Sequence, residues 1–405
     1  MTPAERSAVA YLRQPQAIRD RTRQLFDLCQ SDQLEHFACD LSKLDEVAAY
    51  VVDTTQQLYP DFDVPFHSRW RHFGPRLTPQ LDPLATREAT AAKAQLDLAI
   101  VSVLLDAGAG NQWRYQDVAT GDTLARSEGL AVASLRAFER GFFSSDSKSL
   151  YQVDAPGIQQ LTMGDLMQVF QVSDDNPLVG LSGRLTLLHQ LGAALASQPD
   201  RFGSGAARPG NLLDYLTHRY GQTLEAGTLL SEVLESLGTI WPGRTELAGV
   251  NLGDAWPHPA LATAEPGSHL VPFHKLSQWL TYSLVEPLTA AGVAVTHLDQ
   301  LTGLAEYRNG GLCVDLGLLL PKHSDVTHSA HLPSSPVVVE WRALTVVMLD
   351  MIGERVRQRL KKSPEELPLI KVLEGGTWAA GRRIAKQLRS TGEPPIAIQS
   401  DGTVF

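Results

Sequence analysis

From residue 3 to residue 59 apolar and charged positions alternate at helical spacing, as in Ala8, Val9 and Leu12 and then Leu25, Phe26, Leu28 and Cys29. That period puts the apolar side chains on one stripe of an α-helix and commits the opening of the chain to helical packing. The habit persists. The Ala-rich stretch from Pro83 to Ala107 reads as helix closed by Gly108 and Gly110, and residues 127 to 250 read as mostly helical, broken at Gly141, Asn176-Pro177, Pro209-Gly210 and Trp241-Pro242-Gly243. Further helices are expected from about Phe273 to Leu288 and from about Arg342 to Leu360, and one opening at Gly375-Gly376-Thr377.

Strand signals are few and short. Trp113, Tyr115 and Val118 alternate before Gly121-Asp122, which predicts a small hairpin, and the runs Gly311–Leu316 and Pro336–Val339 read as strand-like. The Asp401-Gly402 turn between apolar pairs predicts a packed terminus. The fold class expected is therefore mainly α with a few short β-strands. No repeat or low-complexity linker divides the 405 residues, so the expectation is a single large helical domain over 1–405, or two intimately packed lobes. Single cores tend to split beyond about 250–300 residues.

Charge narrows the function. Thirty-five Lys and Arg against 45 Asp and Glu give a net charge of −10, a field that repels polyanions and argues against nucleic acid as partner. With 43% hydrophobic and 20% charged residues, disordered and collagen-like chains are excluded. No run reaches the length of a membrane span, and the N-terminus has no apolar leader core, so a cytoplasmic location is expected. Three cysteines, Cys29, Cys39 and Cys313, match neither a zinc ribbon nor a Cys-x-x-Cys, and the 12 His form no His-Glu-x-x-His. No metal and no cofactor are expected.

Several polar clusters sit in apolar settings. In Pro272–Tyr282 the three- and four-residue spacing puts Lys275, Gln278, Trp279 and Tyr282 on one helical face, the wall of a polar pocket. Leu301–Gly311 sets Glu306, Tyr307, Arg308 and Asn309 between apolar flanks. A carboxylate there is desolvated unless paired, so either Arg308 neutralises it or its charge serves a reaction. Glu340 and Arg342 follow an apolar run, where Glu340 caps a helix, pairs with Arg342 or joins the chemistry. His67, Arg69, Arg71 and His72 crowd the stretch 66–73, which reads as irregular or a short helix, and guanidinium groups there suit a phosphate. Gly376 and Thr377, at an expected helix start, offer free N–H groups to an anion.

The strings Pro65–Phe73, Leu105–Gly110, Arg126–Leu130, Val271–Ser283 and Glu374–Arg382, with the terminal Asp-Gly-Thr-Val-Phe, resemble the fungal and bacterial uracil-catabolism protein family over nearly the whole chain. That resemblance implies a step in a pathway that converts uracil to its ribonucleotide, opens the ring and releases urea. More remotely, Leu301–Arg308, Val339–Arg342 and Leu135–Gly141 look like motifs of the queuosine-salvage nucleotide N-glycosidases, which are helical and similar to DNA glycosylases. Glu306 stands where that family typically has Asp, and Leu135 where it has Asn.

Together these imply a hydrolase, an N-glycosidase cleaving a small phosphorylated riboside, ribosylurea 5-phosphate, to ribose 5-phosphate and urea. Glu306, Glu340 and Lys275 are the expected catalytic residues. Substrate contacts are expected from His274, Gln278, Tyr282, Tyr307, Arg308, Asn309, Arg342, His67, Arg69, Arg71, Gly376 and Thr377. The alternatives are an amidohydrolase or lyase acting on the ring-opened nucleotide, and a non-catalytic subunit of the same pathway. The sequence leaves the oligomeric state open.

Overall fold

The computed structural model describes residues 1–83, 85, 89–106, 108–241 and 245–399, so the terminal Asp-Gly turn lies outside the described residues. The protein is mainly helical, and among the described residues its strands form only two-stranded sheets. The chain divides into two compact units, one of Met1–His67, Gly243–Gln278 and His297–Gln399, the other of Ser68–Pro242 and Trp279–Thr296. The Lys275–Ala290 helix gives its first turn to one unit and its remainder to the other.

The first unit is organised on the 25-residue helix Pro336–Leu360, which packs against Pro15–Gln30 and Leu44–Leu58. Pro336 opens it at a position where its missing N–H costs nothing, and Lys361 closes it in the left-handed region at φ 53. Val337, Val338 and Val339, expected as a strand, form the first turn of this helix. All three are buried, as are Trp341, Ala343 and Leu344 beyond them. A helix buried all round loses its amphipathic stripe, and its β-branched start then mimics a buried strand.

Gly311–Leu316, also expected as a strand, mostly lies in the helix Tyr307–Asp315. Its glycines serve helix contacts: a Cβ on Gly310 would stand 2.7 Å from the Trp341 ring. This helix runs parallel to Trp378–Leu388. At one end Gly381 sits so close that a Cβ would fall 2.2 Å from the Arg308 carbonyl oxygen. At the other, Arg389 pairs with Asp315 at 2.8 and 2.5 Å. Glu306 and Trp378 therefore stand at the same end of the pair.

In the second unit the helix Ala89–Leu104 is buried over most of its length and packs against Arg126–Glu139, Arg69–Phe73 and the turn Pro209–Asn211. The expected hairpin is present, Tyr115–Gln116 antiparallel to Thr123–Leu124, with Gly121 supplying φ 78 in its turn. Thr223–Glu225 pairs in parallel with Ala294–Thr296.

Candidate active site

The site is built from a hairpin, a loop and the long helix of the first unit. Ala255–Pro257 pairs antiparallel with Leu270–Pro272, which brings Asp254 beside the entry to the Lys275–Ala290 helix. The Asp254 carbonyl accepts the N–H groups of Phe273 and His274, at 2.9 and 3.2 Å, and its carboxylate accepts the Lys275 N–H at 2.9 Å. A residue distant in sequence thus satisfies the first donor of this helix. His274 makes the turn at φ 47, and its Nε2 donates to the Leu12 carbonyl at 2.8 Å. Burial pushes the His274 imidazole below its ordinary pKa.

Arg342, on the long helix, meets Asp254 through both nitrogens of its fork, each at 2.7 Å. Its Nε donates to the Ala305 carbonyl at 3.2 Å, and its guanidinium lies 4.1 Å from the centre of the Phe273 ring. Burial works to raise the pKa of Asp254. The Arg342 charge, the Lys275 N–H and the Trp256 indole N–H outweigh it, so the carboxyl is held below its usual range.

Ala305 leads directly into Glu306. The loop before it is clamped by Gln278, whose amide accepts the Thr302 N–H at 3.0 Å and donates to Thr302 Oγ1 at 2.9 Å. Glu306 is the N-cap of the Tyr307–Asp315 helix: its two carboxylate oxygens accept the N–H groups of Arg308 at 2.8 Å and Asn309 at 2.6 Å. It is only 8% exposed. Burial raises its pKa, against the two N–H bonds and the charges of Lys275 and Arg308. Arg308 itself donates to the Gly392 carbonyl at 2.8 Å. Tyr307 presents its ring 5.3 Å from the Arg308 guanidinium carbon. Asn309 donates to the Leu304 carbonyl at 3.1 Å, while its Oδ1 is buried without a hydrogen-bond partner among the described residues.

Glu340 lies on the long helix, fully buried. It accepts the His36 N–H at 3.1 Å and faces His258 Nε2 at 3.3 Å. His258 Nδ1 accepts the Ala260 N–H at 3.3 Å, which assigns the ring proton to Nε2 and makes the imidazole a donor to Glu340. The stretches around 275, 306 and 340 thus come together through Asp254, Ala305 and the Arg342 fork.

A second cluster in the same unit joins His67, Tyr59 and Glu374. His67 Nδ1 lies 2.6 Å from one Glu374 oxygen, and the Tyr59 hydroxyl donates to the other at 3.2 Å. Glu374 belongs to a π-helical turn, Leu373–Thr377, between Leu369–Val372 and Trp378–Leu388. This corrects the expected helix start at Gly375-Gly376-Thr377: the run is helical on both sides, so it is not a terminus with free N–H groups. The glycines are there for contact, since a Cβ on Gly376 would stand 2.4 Å from Val51. Thr377 is buried, and its Oγ1 has no partner among the described residues.

Arg69, Arg71 and Tyr282 belong to the second unit. Arg69 is wholly buried, paired with Asp106 at 2.7 Å and bonded to Ser102 at 2.7 Å. Burial lowers its pKa. Arg71 pairs with Glu286, and Tyr282 is buried. Among the described residues no three His, Cys, Asp or Glu cluster as metal ligands, and no helix is long and apolar enough to cross a membrane.

Sequence reasoning missed Asp254, His258 and Glu374. Asp254 and His258 fall in a Pro- and Gly-rich crossing, where only the apolar neighbours Leu252, Ala255 and Trp256 hint at burial. A buried Arg342 needs a carboxylate, but no spacing says which one.

A family model described as a protein of unknown function, DUF1688, matches residues 11–405. The chain belongs to the DUF1688 family. One relative, protein urg3 of Schizosaccharomyces pombe, is 44% identical over 414 residues, covering 98% of this chain and 99% of its own. Another, uracil catabolism protein 4 of Lachancea kluyveri, is 37% identical over 439 residues with the same coverage. Every residue of the Asp254–Arg342–Glu306 arrangement lies within the DUF1688 match.

Proposed function

We propose that this protein acts in uracil catabolism as an N-ribosyl hydrolase, adding water across the glycosidic bond of ribosylurea 5-phosphate to give ribose 5-phosphate and urea. The names of its relatives support the pathway. The chemistry rests on one observation: Glu306 is a buried carboxylate locked by two backbone N–H groups at a helix start, with the Lys275 charge acting on it.

Breaking an N-riboside develops positive charge at the anomeric carbon. A carboxylate held in place in a poorly solvated setting stabilises that charge without reorganising. The two N–H groups use one acceptor direction on each oxygen of Glu306, leaving a lone pair on each to orient water. Lys275 favours the ionised form of Glu306 and is a donor suited to the urea oxygen as it leaves. Asp254 and Arg342 act as positioning residues, fixing the Lys275 backbone and the Ala305 carbonyl.

The test is direct. Incubating purified protein with ribosylurea 5-phosphate and following products by mass spectrometry should show urea and ribose 5-phosphate in equal amounts. Turnover of the ring-opened nucleotides that precede it, with ribosylurea 5-phosphate left intact, would replace this reading with an amidohydrolase or lyase. Binding without product would replace it with a pathway subunit.

A further inference from the structure

Asn309 is tied at two points to the turn that Glu306 begins. Its backbone N–H bonds one Glu306 oxygen at 2.6 Å, and its side-chain Nδ2 donates to the Leu304 carbonyl at 3.1 Å. The same carbonyl accepts the Glu306 N–H at 2.9 Å, so the Asn309 amide is folded back beside Glu306. Residues three apart at a helix start share a face, which keeps the two side chains together. Because a carbonyl can only accept, the bond to Leu304 identifies the nitrogen end of the amide and leaves Oδ1 as the other. Asn309 is wholly buried, and its Oδ1 meets no partner among the described residues. A buried amide oxygen left unmet is costly, and such atoms mark places where a water or a ligand belongs.

Asn309 Oδ1 and the Glu306 carboxylate have the same need, since both only accept. A ribose hydroxyl carries one hydrogen and serves one of them, whereas a water carries two and serves both at once. We propose that Asn309 is a second water-holding residue of the site: one water gives a hydrogen to Glu306 and the other to Asn309 Oδ1, and that water is the nucleophile. This role rests on the hydrolysis proposed above.

With both hydrogens engaged, a lone pair of the water oxygen points away from the two acceptors and is free to meet the ribose carbon. The oxygen bonds that carbon as the carbon–nitrogen bond breaks. One water proton passes to Glu306, the electron pair of the broken bond leaves with urea, and urea takes a proton from the Lys275 ammonium, which Glu306 then restores. The balance is water and ribosylurea 5-phosphate to ribose 5-phosphate and urea. Asn309 exchanges no proton and acts by holding the water.

Two measurements on the full-length protein test this. A crystal structure of the wild type should show one water within about 3.2 Å of both Asn309 Oδ1 and a Glu306 oxygen. With ribosylurea 5-phosphate in dilute methanol, the wild type should give ribose 5-phosphate almost alone, since methanol brings one hydrogen and cannot bridge the two acceptors. Asn309→Leu should lower kcat by about tenfold, the weight of one hydrogen bond, leave KM little changed and raise the share of methyl riboside 5-phosphate. No water between the two acceptors overturns the proposal, and this arm needs no variant, so it decides the site even where Asn309→Leu fails to fold. A variant that raises KM at unchanged kcat, which would set Asn309 against the substrate itself, or that keeps the wild-type product ratio, also overturns it. A wild type that shows the water yet leaves ribosylurea 5-phosphate intact overturns the hydrolysis and the nucleophile with it, while the water site stands.

Discussion

Arg342 and Asp254 meet fork to fork, with both nitrogen–oxygen distances at 2.7 Å. The pair does more than neutralise the buried Arg342 charge. Asp254 also receives the Lys275 N–H, and Arg342 also reaches the Ala305 carbonyl, so one contact sets the positions of Lys275 and Glu306 together.

Breaking this pair strands a charge in the interior. Asp254→Asn is expected to lower stability by about 3–5 kcal/mol, read from urea unfolding midpoints. Arg342→Lys keeps the charge but loses the planar two-point contact, so it should also lower turnover of ribosylurea 5-phosphate.

Glu306→Gln keeps an acceptor at the helix start while removing the charge. A loss of about 10²–10⁴-fold in turnover is expected. Stability should change by no more than about 2 kcal/mol, the range of a helix cap. Substrate binding should persist. Full turnover in the variant would remove Glu306 from the chemistry. Because burial raises the Glu306 pKa above 4.5, activity that needs its ionised form should fall on the acid side with a midpoint above 4.5.

Stability should fall with acid in two separate windows. His274 is depressed below 6.5 when folded, so the unfolded chain binds the proton first and stability drops as pH falls below 6.5 toward the folded value. Asp254 is depressed below 3.8, and its contribution is lost only below that pH, as the folded carboxyl protonates. Unfolding free energies measured against pH should show the first slope flattened in His274→Asn. Asn tolerates the left-handed backbone there.

Gly381→Ala should be the costliest small substitution in the helix pair. Its Cβ would meet a backbone carbonyl at 2.2 Å, which only separating the two helices can relieve. A loss exceeding about 3 kcal/mol by chemical denaturation is expected, above the usual range for overpacking.

The helical class and the hairpin near Gly121 were legible because spacing and turn residues act locally. Glu306 was legible as a carboxylate in apolar surroundings, but spacing left open whether Arg308 neutralises it or its charge serves a reaction. It takes backbone N–H groups while Arg308 turns to Gly392. Val337–Val339 failed for the opposite reason. Once every side of a helix is covered, the periodic signal vanishes and only β-branching remains to be read. The Asp254–Arg342 pair was illegible because it joins segments far apart in the chain.

The π-helical turn at Leu373–Thr377 carries a consequence for how the protein tolerates changes in length. It absorbs extra chain while the segments on either side remain anchored, Glu374 by His67 and Gly381 by the Arg308 backbone. Removing the one residue it absorbs would restore ordinary winding with the downstream helix still in register, whereas a deletion between Trp378 and Gly381 would swing everything beyond it by about 100°. In that second case Gly381 would leave its notch and Arg389 would lose Asp315. A change of one residue in length is thus absorbed in this turn, whereas side chains at Gly375 and Gly376 are barred from it.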